Sequence, residues 1–223
     1  MLSPVGSGPK SAQRTRVRIQ TRNQSNTRNP ANTRSEQMST ATAATDGRLT
    51  AGTWKIDRVH SHVGFAVKHM VVSTFRGRFE DYDGALAVDE HGNPRLEGWV
   101  SVDSIAVADE NLAAHLTSPD FFDSERYPRV RFTSSAVRVG DGGVLEVEGE
   151  LEIKGRARPV IARGSVSGPH VDIAGNDKLG VELEATVDRR EFGLEWNAPL
   201  PQGGFALDND VRLDVSLELV REA

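Results

Sequence analysis

Hydrophobic and polar residues alternate with a period of two along most of the chain after Trp54. In the clearest stretch Leu145, Val147, Gly149, Leu151 and Ile153 alternate with Glu146, Glu148, Glu150, Glu152 and Lys154. Successive side chains of a strand point to opposite faces, so this is the pattern of a half-buried β-strand. It recurs where Leu179, Val181, Leu183, Ala185 and Val187 face away from Glu182, Glu184 and Asp188. It recurs again where Val211, Leu213, Val215, Leu217 and Leu219 face away from Arg212, Asp214 and Glu218. Softer versions lie at 59–71, 76–89, 95–103, 129–139 and 158–168, separated by turn formers such as His91-Gly-Asn-Pro94, Gly140-Asp-Gly-Gly143 and Gly155-Arg156. The spacing predicts about eight strands, many near ten residues where five or six is usual. One helix is predicted at Asp109–Leu116, with acids in its first turn and Pro119 closing it.

Eight long antiparallel strands with little helix predict a barrel or a sandwich. One face is a row of carboxylates, which belongs in water, so the apolar face points inward; an outer-membrane barrel has the opposite arrangement. An eight-stranded barrel is just wide enough to be filled by side chains or to hold one small ligand. The inward set is mostly Val and Leu with Gly149, Ala162, Gly164 and Ala185 among them, and aromatic residues are only 6% of the chain. Small liners leave space, which predicts an elongated apolar cavity.

Composition changes the picture at the N-terminus. Residues 1–37 hold Lys10, Arg14, Arg16, Arg18, Arg22, Arg28 and Arg34 against the single acid Glu36. The remaining 186 residues hold 20 basic and 31 acidic groups. Residues 1–50 read as a disordered basic leader, too poor in apolar side chains to offset the entropy of ordering, and 51–223 as the barrel domain. The leader lacks the apolar core of a secretory signal. A transit-like segment, translated upstream sequence with the true start at Met38, and a dispensable basic tail are the readings left open. With no secretory signal the expected location is cytoplasmic. The chain has no Cys, which removes disulfides, thiolate metal sites and a Cys nucleophile. It has no apolar run near 18 residues, so no transmembrane helix is expected. The net charge of -5 argues against nucleic acid as partner.

An ordered set of motifs carries a resemblance. Trp54-Lys-Ile-Asp57 is followed by His60-Ser61, Phe65 and Val67-Lys68-His69. Then come Gly77-Arg78-Phe79, Ser104-Ile105, and His115-Leu116-Thr-Ser-Pro-Asp-Phe-Phe-Asp123 with Tyr127-Pro128 and Phe132. Gly149-Glu-Leu-Glu-Ile-Lys-Gly155 with Pro159-Val160, and Asp188-Arg189 with Phe192-Gly193-Leu194, complete it. The set resembles the YceI-like family of lipocalin-like, polyisoprenoid-binding proteins over about 52–221. The family often shows Arg-Asp before the His-Leu pair, and here Asn111 and Leu112 stand nearby instead. The resemblance implies an all-β, eight-stranded antiparallel lipocalin-like barrel with one short helix between its third and fourth strands. It also implies a long isoprenoid or similar amphiphilic lipid as ligand.

The candidate ligand-binding residues, in the barrel interior and at its mouth, are Phe65, Val67, His69, Phe121, Phe122, Phe132, Val147, Leu151, Val181, Leu183, Trp196, Val215 and Leu217. His69 shares a strand face with Phe65 and Val67, where its imidazole meets a lipid headgroup or only a backbone carbonyl; one such His is also what a haem barrel would use. Phe121, Phe122, Tyr127 and Trp196 come from loops and either plug the mouth or gate it. The segment Asn197–Phe205, with two Pro and two Gly, suits a lid or a long hairpin turn.

An alternative is a metal-dependent enzyme acting on a lipid-like substrate. His60 and His62 form H-x-H on one strand face, and His69 or His115 would supply a third imidazole for zinc. No carboxylate–histidine set has matching parity, so no metal site and no catalytic residue is assigned. Gly164-Ser-Val-Ser-Gly168 is not a nucleophile elbow, because Val166 holds the central place. No cofactor is expected beyond a bound isoprenoid lipid. A solidly packed barrel and a homodimer remain open.

Overall fold

The computed structural model describes residues 49–222. Its eleven strands, all paired antiparallel, are β1 (Gly52–Ile56), β2 (His62–His69), β3 (Ser73–Phe79), β4 (Tyr82–Val88), β5 (Pro94–Ser101), β6 (Ile105–Ala106), β7 (Arg129–Val139), β8 (Val144–Ile153), β9 (Arg156–Val171), β10 (Asp177–Asp188) and β11 (Leu207–Arg221). The helix α1 (Glu110–Thr117) lies between β6 and β7.

Three walls are each broken in two: the strand expected at 76–89 splits into β3 and β4, and β1 and β6 add segments outside the strands expected at 59–71 and 95–103. β1 and β2 both lie along β11, which pairs Ile56 with Leu219 and Val63 with Val215. β4 and β3 lie along β1 and β2 in turn, and β5 and β6 along β4 and β3. Counted as continuous walls, the eleven segments make a closed eight-stranded barrel, sealed by the β1–β11 pairing.

The breaks lie side by side and are stitched together. Glu80 N donates to Ser104 O and Ser101 N to Asp81 O. Tyr82 Oη donates to Ser61 O at 2.7 Å. Backbone groups released from the ladder thus find partners across the crease, as buried polar groups must. The helix falls between the third and fourth walls, as expected, and Asp109 caps it by accepting from Leu112 N at 2.8 Å.

The period-two pattern sets the interior. On β8, Leu145, Val147, Gly149, Leu151 and Ile153 are buried while the glutamates between them are half-buried or exposed. One end of the barrel is packed shut. Trp54, Val147 and Leu219 have no exposed surface there, and Leu179 has 1%. Leu49 joins this cluster at 5% exposure, and Trp54 Nε1 donates to Thr50 O. The packed domain therefore begins at least two residues before the expected boundary at 51. The rest of the expected leader lies outside the described residues.

Two inward glycines do not create the space expected of them. A Cβ on Gly149 would sit 2.6 Å from the ring of Phe132, which lies across it. A Cβ on Gly164 would sit 1.8 Å from Glu182 O, so that glycine allows a close backbone approach. The free volume comes from elsewhere.

Candidate functional site

The other end holds a cavity of about 440 Å³. It is lined from β2 by Phe65, Val67 and His69, from β7 by Phe132, from β8 by Leu151, from β10 by Leu183 and from β11 by Val215 and Leu217. Phe121, Phe122 and Trp196 line it from the connectors at this end. Eleven of the thirteen candidate residues are thus brought together. Val147 and Val181 are not among the lining residues. They lie in the packed floor at 0% and 2% exposure, because Trp54, Leu179 and Leu219 close the barrel there. The cavity occupies part of the barrel's length and stops short of Val147 and Val181, which were expected to line it. Ala162 and Ala185 supply the space, with side chains that stop short of the centre.

The strand pattern could not reveal how the cavity is covered. α1 lays Leu112, His115 and Leu116 over it, and the connector after the helix adds Phe121 and Phe122. The segment between β10 and β11 brings Trp196 from the opposite side. His115 stands edge-on to Trp196 at 4.8 Å and to Phe121 at 5.0 Å, and Phe121 lies 5.3 Å from Trp196. Edge-on packing is a favourable arrangement for such rings. His115 Nε2 also lies 3.4 Å from Asp120. The three rings close the mouth as a plug in which Trp196 keeps 36% of its surface exposed.

Arg189 holds that plug in place. Its guanidinium is buried at 4% exposure, and the burial pushes its pKa down from the ordinary value. It donates to Leu194 O, to Trp196 O at 2.8 Å, to Asp208 O at 2.9 Å and to Asn209 Oδ1 at 3.3 Å. One planar fork thus fixes both ends of the Leu194–Asn209 segment, a role that fits guanidinium geometry. Its neighbour Asp188 is bound to Arg190 instead, which holds that carboxylate below its usual pKa. Arg189 was visible in the sequence only as part of a motif. Its signal is a cation placed just after an apolar strand.

The histidines of the H-x-H pair stand elsewhere. β2 begins only at His62, so His60 lies in the crease and the two do not share a strand face. His62 Nε2 faces outward to Asp214 at 3.0 Å. His60 Nδ1 lies 3.1 Å from Asp57, and Asp57, His60 and Glu218 come close enough together to hold a cation. No such carboxylate–histidine set is expected from strand parity; it forms because Glu218 arrives from β11, far along the chain. The Lys178 ammonium already sits among these groups, 2.9 Å from Asp57 and 2.8 Å from Glu218. It donates to Asp57 and, with His60, holds that carboxyl well below the usual carboxylate range. None of the four residues lines the cavity.

A family model described as the YceI-like domain matches residues 54–219, nearly the whole barrel, from Trp54 on β1 to Leu219 on β11. The chain belongs to the YceI-like family. Protein YceI of Escherichia coli O157:H7 is 31% identical over 182 residues, covering 79% of this chain and 91% of its own. Among solved structures, Burkholderia cenocepacia BcnA matches with a TM-score of 0.62 at 20% identity, over 73% of this chain and 98% of its own. A polyisoprenoid-binding domain from Saccharophagus degradans matches with a TM-score of 0.57 at 12% identity, over 76% and 98%. These two likenesses show the shared fold. Within this YceI-like barrel, Leu112, one of the two residues that depart from the expected Arg-Asp, lines the cavity from α1.

Proposed function

We propose that this YceI-like protein binds one long apolar or amphiphilic chain, a polyisoprenoid or a lipid of similar shape, and stores or carries it. The observation that carries the reading is the cavity itself: about 440 Å³ behind a plug of aromatic rings, its walls drawn mainly from Val, Leu, Phe and Ala. Each CH₂ moved from water into such a site contributes about 0.8 kcal/mol. A chain of a few isoprene units therefore offsets the several kcal/mol lost on association without any charged anchor. His69 and His115 on the lining give a terminal hydroxyl or phosphate a hydrogen-bond partner near the mouth. The polyisoprenoid-binding domain of the same fold supports the choice of ligand class.

The test is extraction of the purified protein with organic solvent and mass spectrometry of the extract. A prenyl or fatty chain recovered in near-stoichiometric amount supports the reading. An extract free of lipid, from protein that also fails to take up added prenols, contradicts it.

A further inference from the structure

The rim around the mouth carries the most exposed apolar tip at this end of the barrel. β2 and β3 are joined by Met70-Val71-Val72, with 45%, 82% and 87% of their surfaces exposed. Met70 and Val71 adopt positive φ, 50° and 66°. That region suits Gly or Asn, and a β-branched residue there is strained. A tight turn needs no apolar side chain, yet three stand here, two of them at a conformational cost. The tip has a neighbour of the same kind. Met70 N donates to Ala206 O, which sets the tip beside Phe205, itself 61% exposed. Trp196 lies earlier on the same segment and also lines the cavity.

We propose that this rim, the Met70–Val72 tip with Phe205 and Trp196, docks on a lipid bilayer, placing the cavity mouth where an apolar chain can pass between membrane and barrel. The proposal rests on the lipid-carrier reading. A projecting three-residue corner favours a bilayer over a second protein. A stable protein interface buries about 800 Å² per partner on a broad surface, whereas a tip inserts into acyl chains by itself. Trp is also the side chain that favours the membrane–water interface. β2 and β3 carry no acid, and Lys68 and Arg76 stand exposed behind the tip, where lipid phosphates would lie. Glu191, Glu195 and Asp208 on the adjoining segment oppose a purely electrostatic attraction. Insertion of the apolar tip therefore carries the binding.

The experiment is co-sedimentation of the full chain with phosphatidylcholine vesicles containing a minority of phosphatidylglycerol. Two neutral variants are compared with the wild type, so attraction between the basic N-terminal segment and anionic lipid is the same in all three. Val71→Ser with Val72→Ser should weaken vesicle binding about tenfold, since two apolar side chains no longer gain from burial. Met70→Asn with Val71→Gly should weaken it as well while melting at or above the wild-type temperature, because the turn then holds residues suited to it. Wild-type protein left in the supernatant, or variants that sediment like the wild type, would overturn the docking. So would tip substitutions that leave vesicle binding unchanged and convert a dimer to a monomer, which would assign the tip to a second copy of the chain. The solvent extract of the same preparations is read separately. Bound lipid without vesicle binding sinks the docking alone, and vesicle binding without bound lipid sinks the carrier reading alone.

Discussion

Ala162 and Ala185 do what the inward glycines were expected to do: they leave room. Ala185 faces the cavity from β10, and a phenylalanine there would project into the free volume. Ala185→Phe is expected to lower affinity for long prenols by about tenfold or more while leaving the fold intact, as checked by fluorescence titration alongside a melting curve. Glu150→Gln, on the exposed face of β8, should change neither. Gly149→Leu is a poor probe of the same idea, because its Cβ would meet Thr133 O at 2.5 Å and the backbone would have to move. The strand parity of these positions was legible in the sequence. What each glycine touches was not, since that depends on Phe132 and Glu182 on neighbouring strands.

Asp57 gives a prediction about pH. Its folded-state pKa is lowered, chiefly by the Lys178 ammonium and then by His60. A group with a depressed folded pKa contributes stability above its unfolded pKa and loses it as pH falls through the folded one. The contribution is therefore complete at neutral pH and declines below about pH 4. Asp57→Asn should lower the melting temperature at pH 7 by about 2–4 °C, corresponding to about 1 kcal/mol, and flatten the acid side of the stability profile. An unchanged melting temperature at pH 7 would mean that Glu218 alone holds Lys178.

At the scale of elements, the segment between β10 and β11 depends on one side chain. Arg189→Met keeps much of the apolar stem and removes the donors to Leu194, Trp196, Asp208 and Asn209. Buried acceptors left unpaired cost about 1–3 kcal/mol each before relaxation, so a loss of several kcal/mol is expected in denaturant unfolding. Arg189→Lys should recover only part of it, because an ammonium cannot reach four acceptors spread over a plane. Amide exchange in 194–209 should speed up in both variants before the rest of the barrel is affected. The sequence marked this segment as a long connection rich in Pro and Gly. It could not show that a buried cation ties the segment down, because Arg189 finds its acceptors up to twenty residues away.

For the molecule as a whole, the period of two along the strands was enough to read eight walls, their inward faces and the place of the one helix. The crease that splits three walls was not legible. It depends on Tyr82 reaching Ser61 and on Ser101 and Ser104 meeting Asp81 and Glu80, all pairings between distant stretches. The packed floor was hidden for the same reason, and with it the place of Val147 and Val181 beneath the cavity. Leu49 belongs to that floor, so two truncations should separate. A chain starting at Met38 should melt with the full-length protein. One starting at Gly52 should lose about 1–3 kcal/mol, from the missing Leu49 side chain and the missing acceptor for Trp54 Nε1.

The central claim is that the cavity holds an apolar chain in its interior. The most direct measurement is the affinity of the purified protein for a series of prenols of increasing length, at low and at high salt. Burial in a cavity of fixed size predicts that affinity rises by a roughly constant factor per isoprene unit, levels off once the space behind Trp196 is full, and is insensitive to salt. Affinity that ignores chain length, or that collapses with added salt, would contradict it.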